Sequence, residues 1–109
     1  MASVPIYSRI LISSSGLTGT ATLDVPAGFT VVVRDIDVVA GISVGGLVYA
    51  YGGDGTKFAA YNFGTVSLDF TLWSWRGRQV LPGPDTFNIT TDFACDVRAS
   101  GYLLSGVAP

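Results

Sequence analysis

At 109 residues the chain has the size of one domain with one core, and folding should remove roughly 65% of its extended-chain surface from water. Apolar residues make up 49% and charged residues 13%, too apolar for disorder, while no apolar run reaches the roughly 18 residues of a membrane helix. A net charge of −2 and a pI near 4.6 exclude a long-range field that would draw the protein onto nucleic acid or an anionic membrane.

Taken in order, the chain reads as strands with turn punctuation. Pro5 to Ser13 is a first extended run, with Ile6, Ser8, Ile10 and Ile12 opposite Tyr7, Arg9 and Leu11. Ser13 to Gly19 reads as a polar loop, and residues 1–19 together have the character of an assembly arm. Thr20 to Val25 alternates, and Val25-Pro26-Ala27-Gly28 is expected to be a turn of type I character because Ala27 would resist positive φ. Phe29 to Ala40 (FTVVVRDIDVVA) is the longest β-like run, and its valines predict burial on both faces, as in a central strand or one covered by a neighbour.

Leu47 to Tyr51 is a strand, Gly52-Gly53-Asp54-Gly55 a hairpin turn calling for positive φ, and Thr56 to Phe63 the return, with Phe58 and Ala60 opposite Lys57, Ala59 and Tyr61. After a turn at Gly64-Thr65, Val66, Leu68, Phe70 and Leu72 alternate with Ser67, Asp69, Thr71, Trp73 and Trp75. Leu81-Pro82-Gly83-Pro84 is expected to turn with glycine at positive φ. Phe87, Ile89 and Thr91 then form one half-buried run, Asp92-Phe93 a break, and Cys95, Val97 and Ala99 a second run. There is no glutamate, Lys57 is the only lysine, and β-branched and aromatic residues abound. The expectation is a single all-β domain over 1–109: an antiparallel β-sandwich or jelly roll of about eight to ten short strands with no substantial helix.

Chemistry is scarce. Histidine is absent, which removes the commonest general base and metal ligand. Cys95 is the lone cysteine, so no internal disulfide forms, and its period with Val97 predicts a buried, inert thiol. Asp35 and Asp37 share a strand face as a Ca²⁺ site or glycosidase pair would require, but with Arg34 and Arg98 at hand a structural ion pair or sheet rim is expected instead. Asp54 in Gly-Gly-Asp-Gly-Thr reads as turn chemistry, since the calcium-loop ladder is missing. No catalytic residue, cofactor or metal site is predicted, and the sequence is that of a non-enzyme. The N-terminal MASVPIYSRILISSSG lacks the pattern of a secretory signal, which predicts synthesis in a cytoplasm.

One constellation concerns binding. If the aliphatic row of residues 66–72 faces the core, Trp73 and Trp75 lie on an outer face or rim; the opposite reading turns them inward at a bend near Leu72. Tyr49 and Tyr51 form a similar alternate pair, and Arg76 stands at the strand end. Exposed aromatics with arginine mark interfaces, so Trp73, Trp75, Arg76, Tyr49 and Tyr51 are the expected contact residues. The low charge density likewise predicts that part of the surface is covered.

Val25-Pro26-Ala27-Gly28, Val33-Arg34-Asp35-Ile36-Asp37-Val38, Trp75-Arg76-Gly77-Arg78 with Val80-Leu81-Pro82-Gly83, and Val97 with Ser100-Gly101-Tyr102-Leu103 together span most of the chain from Val25 onward. In these pieces the sequence resembles small β-sandwich virion structural proteins of tailed bacteriophages, especially those infecting actinobacteria. The resemblance implies a minor tail or head-decoration protein, a homotrimer whose partners are itself and other virion proteins, located in the virion after synthesis in the bacterial cytoplasm. It carries over no catalytic residue, and no coiled or collagen-like stalk accompanies it here. A carbohydrate- or receptor-binding module that recognises a host surface glycan is the alternative expectation.

Overall fold

A computed structural model describes residues 9–40, 46–63 and 71–105. These contain six strands, β1 (Arg9–Val25), β2 (Phe29–Ala40), β3 (Leu47–Gly52), β4 (Lys57–Asn62), β5 (Thr71–Pro82) and β6 (Asp85–Ser105), and no helix. Every pairing is antiparallel, and all six strands belong to one sheet. The fold is therefore all-β as expected, built from six longer strands rather than eight to ten short ones. The expected turn at Gly64-Thr65, the row Val66 to Phe70 and the start of the first run at Pro5 lie outside the described residues.

β6 organises the sheet. One of its edges pairs with β1 from Asp85 to Gly101. The other pairs first with β3, over Phe87 to Thr91, and then with β2, over Cys95 to Ser105. β4 continues outward from β3, and β5 from β2.

The two ends of β6 meet one turn. Asp85 sits opposite Val25 and Ser105 opposite Phe29, while the Phe29 N–H donates to the Pro26 carbonyl at 3.1 Å and the Gly83 N–H to the Phe29 carbonyl at 2.7 Å. A straight strand of 21 residues would hold its ends roughly 65 Å apart. The β1–β6 ribbon must therefore curl, and the sheet is nearly closed like a barrel.

The curl explains why the polar stretch Ser13 to Gly19 is strand and not loop. It lies inside β1 at register shifts between Ile10 and Ile12, Ser14 and Leu17, and Leu17 and Gly19. Gly16 and Gly19 take φ of 63° and 113°, and such bulges bend a strand while keeping it paired. Asp92-Phe93 is likewise no break. Phe93 is buried and belongs to the same inward row as Phe87, Ile89, Thr91, Cys95, Val97, Ala99 and Gly101. Against that row pack Val31, Val33, Ile36 and Val38 of β2, a central strand with a partner on each side as its valines predict. Its second face is only partly covered, since Val32 is buried and Val39 exposed.

Three turns differ from expectation in detail. The first spans Pro26 to Phe29, one residue later, so that Gly28 and not Ala27 supplies the left-handed position at φ 85°. In the β3–β4 hairpin the Gly55 N–H closes onto the Gly52 carbonyl at 3.0 Å, and of its three glycines only Gly55 takes positive φ. The β5–β6 connection uses a cis Gly83–Pro84 bond without positive φ at Gly83; a Cβ there would run into the Pro26 carbonyl. A register shift between Ala50 and Tyr51 also makes Phe58 and Ala59 both face inward, leaving Ala60 outside.

Candidate functional site

Each face of β5 is a distinct surface. Trp73, Trp75, Gly77, Gln79 and Leu81 form its inward row, and Leu72, Ser74, Arg76, Arg78 and Val80 its outward row. This reverses the expected placement of Trp73 and Trp75 outside and Leu72 inside: Leu72 is 63% exposed, and both tryptophans pack against the core. The cause is the facing strand. Tyr61 of β4 stacks on Trp73 with ring centroids 5.7 Å apart and planes 12° from parallel, and Phe58 meets Trp75 edge-on at 5.5 Å. Phe63 joins Tyr61 to Phe93, and Phe58 continues to Phe87. This aromatic seam lies where β4 and β5 approach without pairing, so large rings close the curled sheet where backbone hydrogen bonds do not.

Tyr49 and Tyr51 alternate with buried Val48, Ala50 and Gly52, which places them on the outer face of β3 as the spacing predicts. Their rings lie 5.7 Å apart, with Lys57 Nζ 4.7 Å from the Tyr49 centroid. Thr90 Oγ1 hydrogen-bonds both the Tyr51 hydroxyl and Thr20 Oγ1, each at 2.8 Å. Tyr49, Lys57, Ala60 and Asn62 border a shallow recess of about 290 Å³. The two tyrosines and the two tryptophans thus occupy opposite faces of the sheet, and the five expected contact residues do not form one patch.

Arg76 is on the outer face, engaged with the carboxylate pair. Its Nε lies 3.2 Å from Asp35 and its Nη1 3.0 Å from Asp37. Ser74 Oγ donates to Asp37 at 2.7 Å and Ser100 Oγ to Asp35 at 3.3 Å. The expected ion pair exists, but its cation is Arg76 rather than Arg34 or Arg98. Partial burial pushes the Asp37 pKa up, yet the Ser74 and Arg76 hydrogen bonds and the Arg76 and Arg98 charges outweigh it and hold the carboxyl below its ordinary value. A carboxylate so neutralised is a poor general base.

Four other aspartates serve backbone. Asp85 accepts from the Gly53 and Thr86 N–H groups, Asp92 from Leu47, Asp96 from Gly16, and Asp54 from Thr56 in the turn role its sequence suggests. Cys95 is buried, and its S–H points at the Leu17 carbonyl at 4.0 Å. Burial pushes its thiol pKa up, with Asp96 and Asp92 adding to the rise against a hydrogen bond with Thr91, so the reactive thiolate is disfavoured. Among the described residues no group of three or more Cys, Asp, Glu or His side chains is placed to hold a metal ion.

Sequence reading missed a basic recess. Val32, Arg34, Arg78, Tyr102 and Leu104 line a shallow cavity of about 250 Å³ on the outer face of β5, β2 and β6. Arg34 reaches it as the next outward residue after Val32, and the register shift between Val33 and Asp35 leaves it opposite Gly77-Arg78. The nearness of Arg76 and Arg78 in sequence was a visible signal, but the pairing of β5 with β2 was not. No protein-family model matches the chain, and no curated protein matches it.

Proposed function

We propose that the chain is a non-enzymatic virion structural protein of a tailed bacteriophage, of minor tail or capsid-decoration type, which assembles with copies of itself as a homotrimer. The single antiparallel sheet, curled and nearly closed, supports the all-β part of what the resemblance implies. The observation that carries the reading is the outer surface of the β2–β5 pair. There Val39 and Leu72 stand directly opposite each other, 38% and 63% exposed, in a chain with only 13% charged residues. Adjacent exposed aliphatics on a sparsely charged surface are suited to burial against another subunit. The tryptophans, packed inward, are not part of this contact. Size-exclusion chromatography with light scattering should give three times the 11.4 kDa of one chain. A single-chain mass at micromolar concentration would overturn the assembly reading.

A second reading, a host-glycan site, is favoured by the Tyr49–Tyr51 pair with Lys57 and Asn62 bordering its recess, since tilted rings with an amine and an amide suit a sugar face and its hydroxyls. A glycan array comparing the protein with a Tyr49→Ala, Tyr51→Ala variant tests it. Binding unaffected by the double substitution would exclude this face.

A further inference from the structure

We infer that the recess between Arg34 and Arg78 is a binding site for a carboxylate carried on an apolar body. Of the arginines on the outer face of β2 and β5, Arg76 is spent on Asp35 and Asp37, whereas Arg34 and Arg78 make no ion pair among the described residues. They converge on one cavity whose floor and wall are Val32 and Leu104, with Tyr102 beside them. Val32 is only 4% exposed, so the floor is set into the sheet and a ligand resting there is shielded on one side from water.

The convergence is built into the backbone. Beside Arg34, β2 bulges against β6 with Gly101 opposite: a Cβ on Gly101 would strike the Val32 carbonyl and come within 3.1 Å of the Arg34 backbone nitrogen. The bulge turns Asp35 outward onto Arg76, which leaves Arg34 and Arg78 to the recess. On the neighbouring strand Gly77 lies under the Trp75 ring, whose nearest atom would be 2.6 Å from an added Cβ, which anchors the backbone next to Arg78. Two guanidinium groups lining one recess repel each other, and an anion between them removes that repulsion while accepting forked, charge-assisted hydrogen bonds. The apolar floor selects among anions: it rewards a carboxylate with hydrocarbon attached and gives nothing to a fully hydrated phosphate. With a net charge of −2 the protein offers no wider basic field for a polyanion.

Such a carboxylate could come from solution or from an aspartate or chain terminus of a neighbouring copy, and the test separates the two. Isotope-labelled protein is titrated with 4-phenylbutyrate, with its neutral amide and with inorganic phosphate, following the resonances of Val32, Tyr102 and Leu104. Saturable shifts with phenylbutyrate are expected, and binding at least about tenfold weaker for the other two, the scale of one lost charge-assisted contact. An Arg34→Gln, Arg78→Gln variant should lose the binding while keeping its unfolding midpoint; should it fail to fold, Arg78→Lys, which keeps the charge and an aliphatic stem, should still weaken it by removing the fork. No saturable shift, equal binding of phosphate, or unchanged binding by the variants overturns the site.

Sedimentation with and without phenylbutyrate identifies the source. Release of subunits by the ligand and by the double variant assigns the carboxylate to a neighbouring copy. An unchanged mass assigns it to solution. A monomer that binds phenylbutyrate would end the homotrimer reading and leave this site standing.

Discussion

The two rows of β5 have the same period and similar hydrophobicity at their ends, yet opposite fates. Leu72 and Val80 are exposed while Trp73 and Trp75, on the other row, pack against the core. What separates them is partners. Tyr61 and Phe58 of β4 present flat rings across the gap where the sheet fails to close, and an indole spans that gap where a leucine would leave it open.

The largest test of this contrast is Trp75→Ala against Leu72→Ser. The first removes the ring that meets Phe58 and covers Gly77, and should cost about 3–5 kcal/mol of stability in chemical denaturation. The second alters an exposed side chain and should stay within about 0.5 kcal/mol. Its effect belongs in assembly, read as a lower oligomer mass on an intact fold. A Leu72→Ser protein that melts as low as Trp75→Ala would show the rows to be reversed.

Gly101→Ala sharpens the contrast from the inside. An added methyl meets the Val32 carbonyl at the β2 bulge, so backbone must shift, at a cost of about 1–3 kcal/mol. Gly16, on the outer bend of β1, has nothing within 4 Å of such a Cβ and suffers only from its φ of 63°. Gly16→Ala should therefore be the milder change, by about 1 kcal/mol of αL strain. Equal losses measured by urea titration would mean that the bulge at Arg34 yields as easily as the open one.

These positions also show what a sequence discloses. The alternation of Phe87, Ile89 and Thr91, then Cys95, Val97 and Ala99, is legible because a strand buried on one face must repeat every two residues. Phe93 continues that row, but an Asp-Phe pair among polar residues mimics a turn, and the pair lies where β6 passes from β3 to β2 at a register shift against β1. Ser13 to Gly19 misleads for the same reason, since polar bulged residues on an outer bend look like a loop. The tryptophans are illegible in principle: alternation defines two faces and does not name the inner one, which Phe58 and Tyr61 decide from another strand. The basic recess was hidden because alternation puts Val32 and Arg34 on one face but does not say that β5 lies alongside with Arg78 at that level.

Cys95 tests the inward row of β6 with a smaller change. It is buried against Leu17, with its sulfur 4.0 Å from the Leu17 carbonyl that Thr91 already occupies at 2.8 Å. Cys95→Ser exchanges a weak donor for a strong one that must compete for that carbonyl, and should cost about 1–2 kcal/mol. The native thiol should resist alkylating reagents until the protein unfolds. Rapid labelling under native conditions would place Cys95 on the accessible face.

The smallest effect belongs to the outward row, at Arg76. The pair with Asp35 and Asp37 is more than half exposed on the arginine side, at 57%, so water and salt screen it and Arg76→Gln should cost less than about 1 kcal/mol near neutral pH. The sign of its pH dependence is fixed. The Asp37 carboxyl is held below its ordinary value in the fold, so the folded state binds that proton less readily than the unfolded chain does. The contribution is therefore complete above the unfolded value near 3.9 and is lost as pH falls through the lower folded one. Arg76→Gln should shrink this window, because without the guanidinium the two carboxylates face each other two residues apart on one strand face. Denaturation of both proteins from about pH 7 downward should thus give curves that converge in the acid range below about pH 4, and convergence should come earlier in high salt. A constant gap across that range would mean that Arg76 contributes through its aliphatic stem packed on β2 and not through its charge.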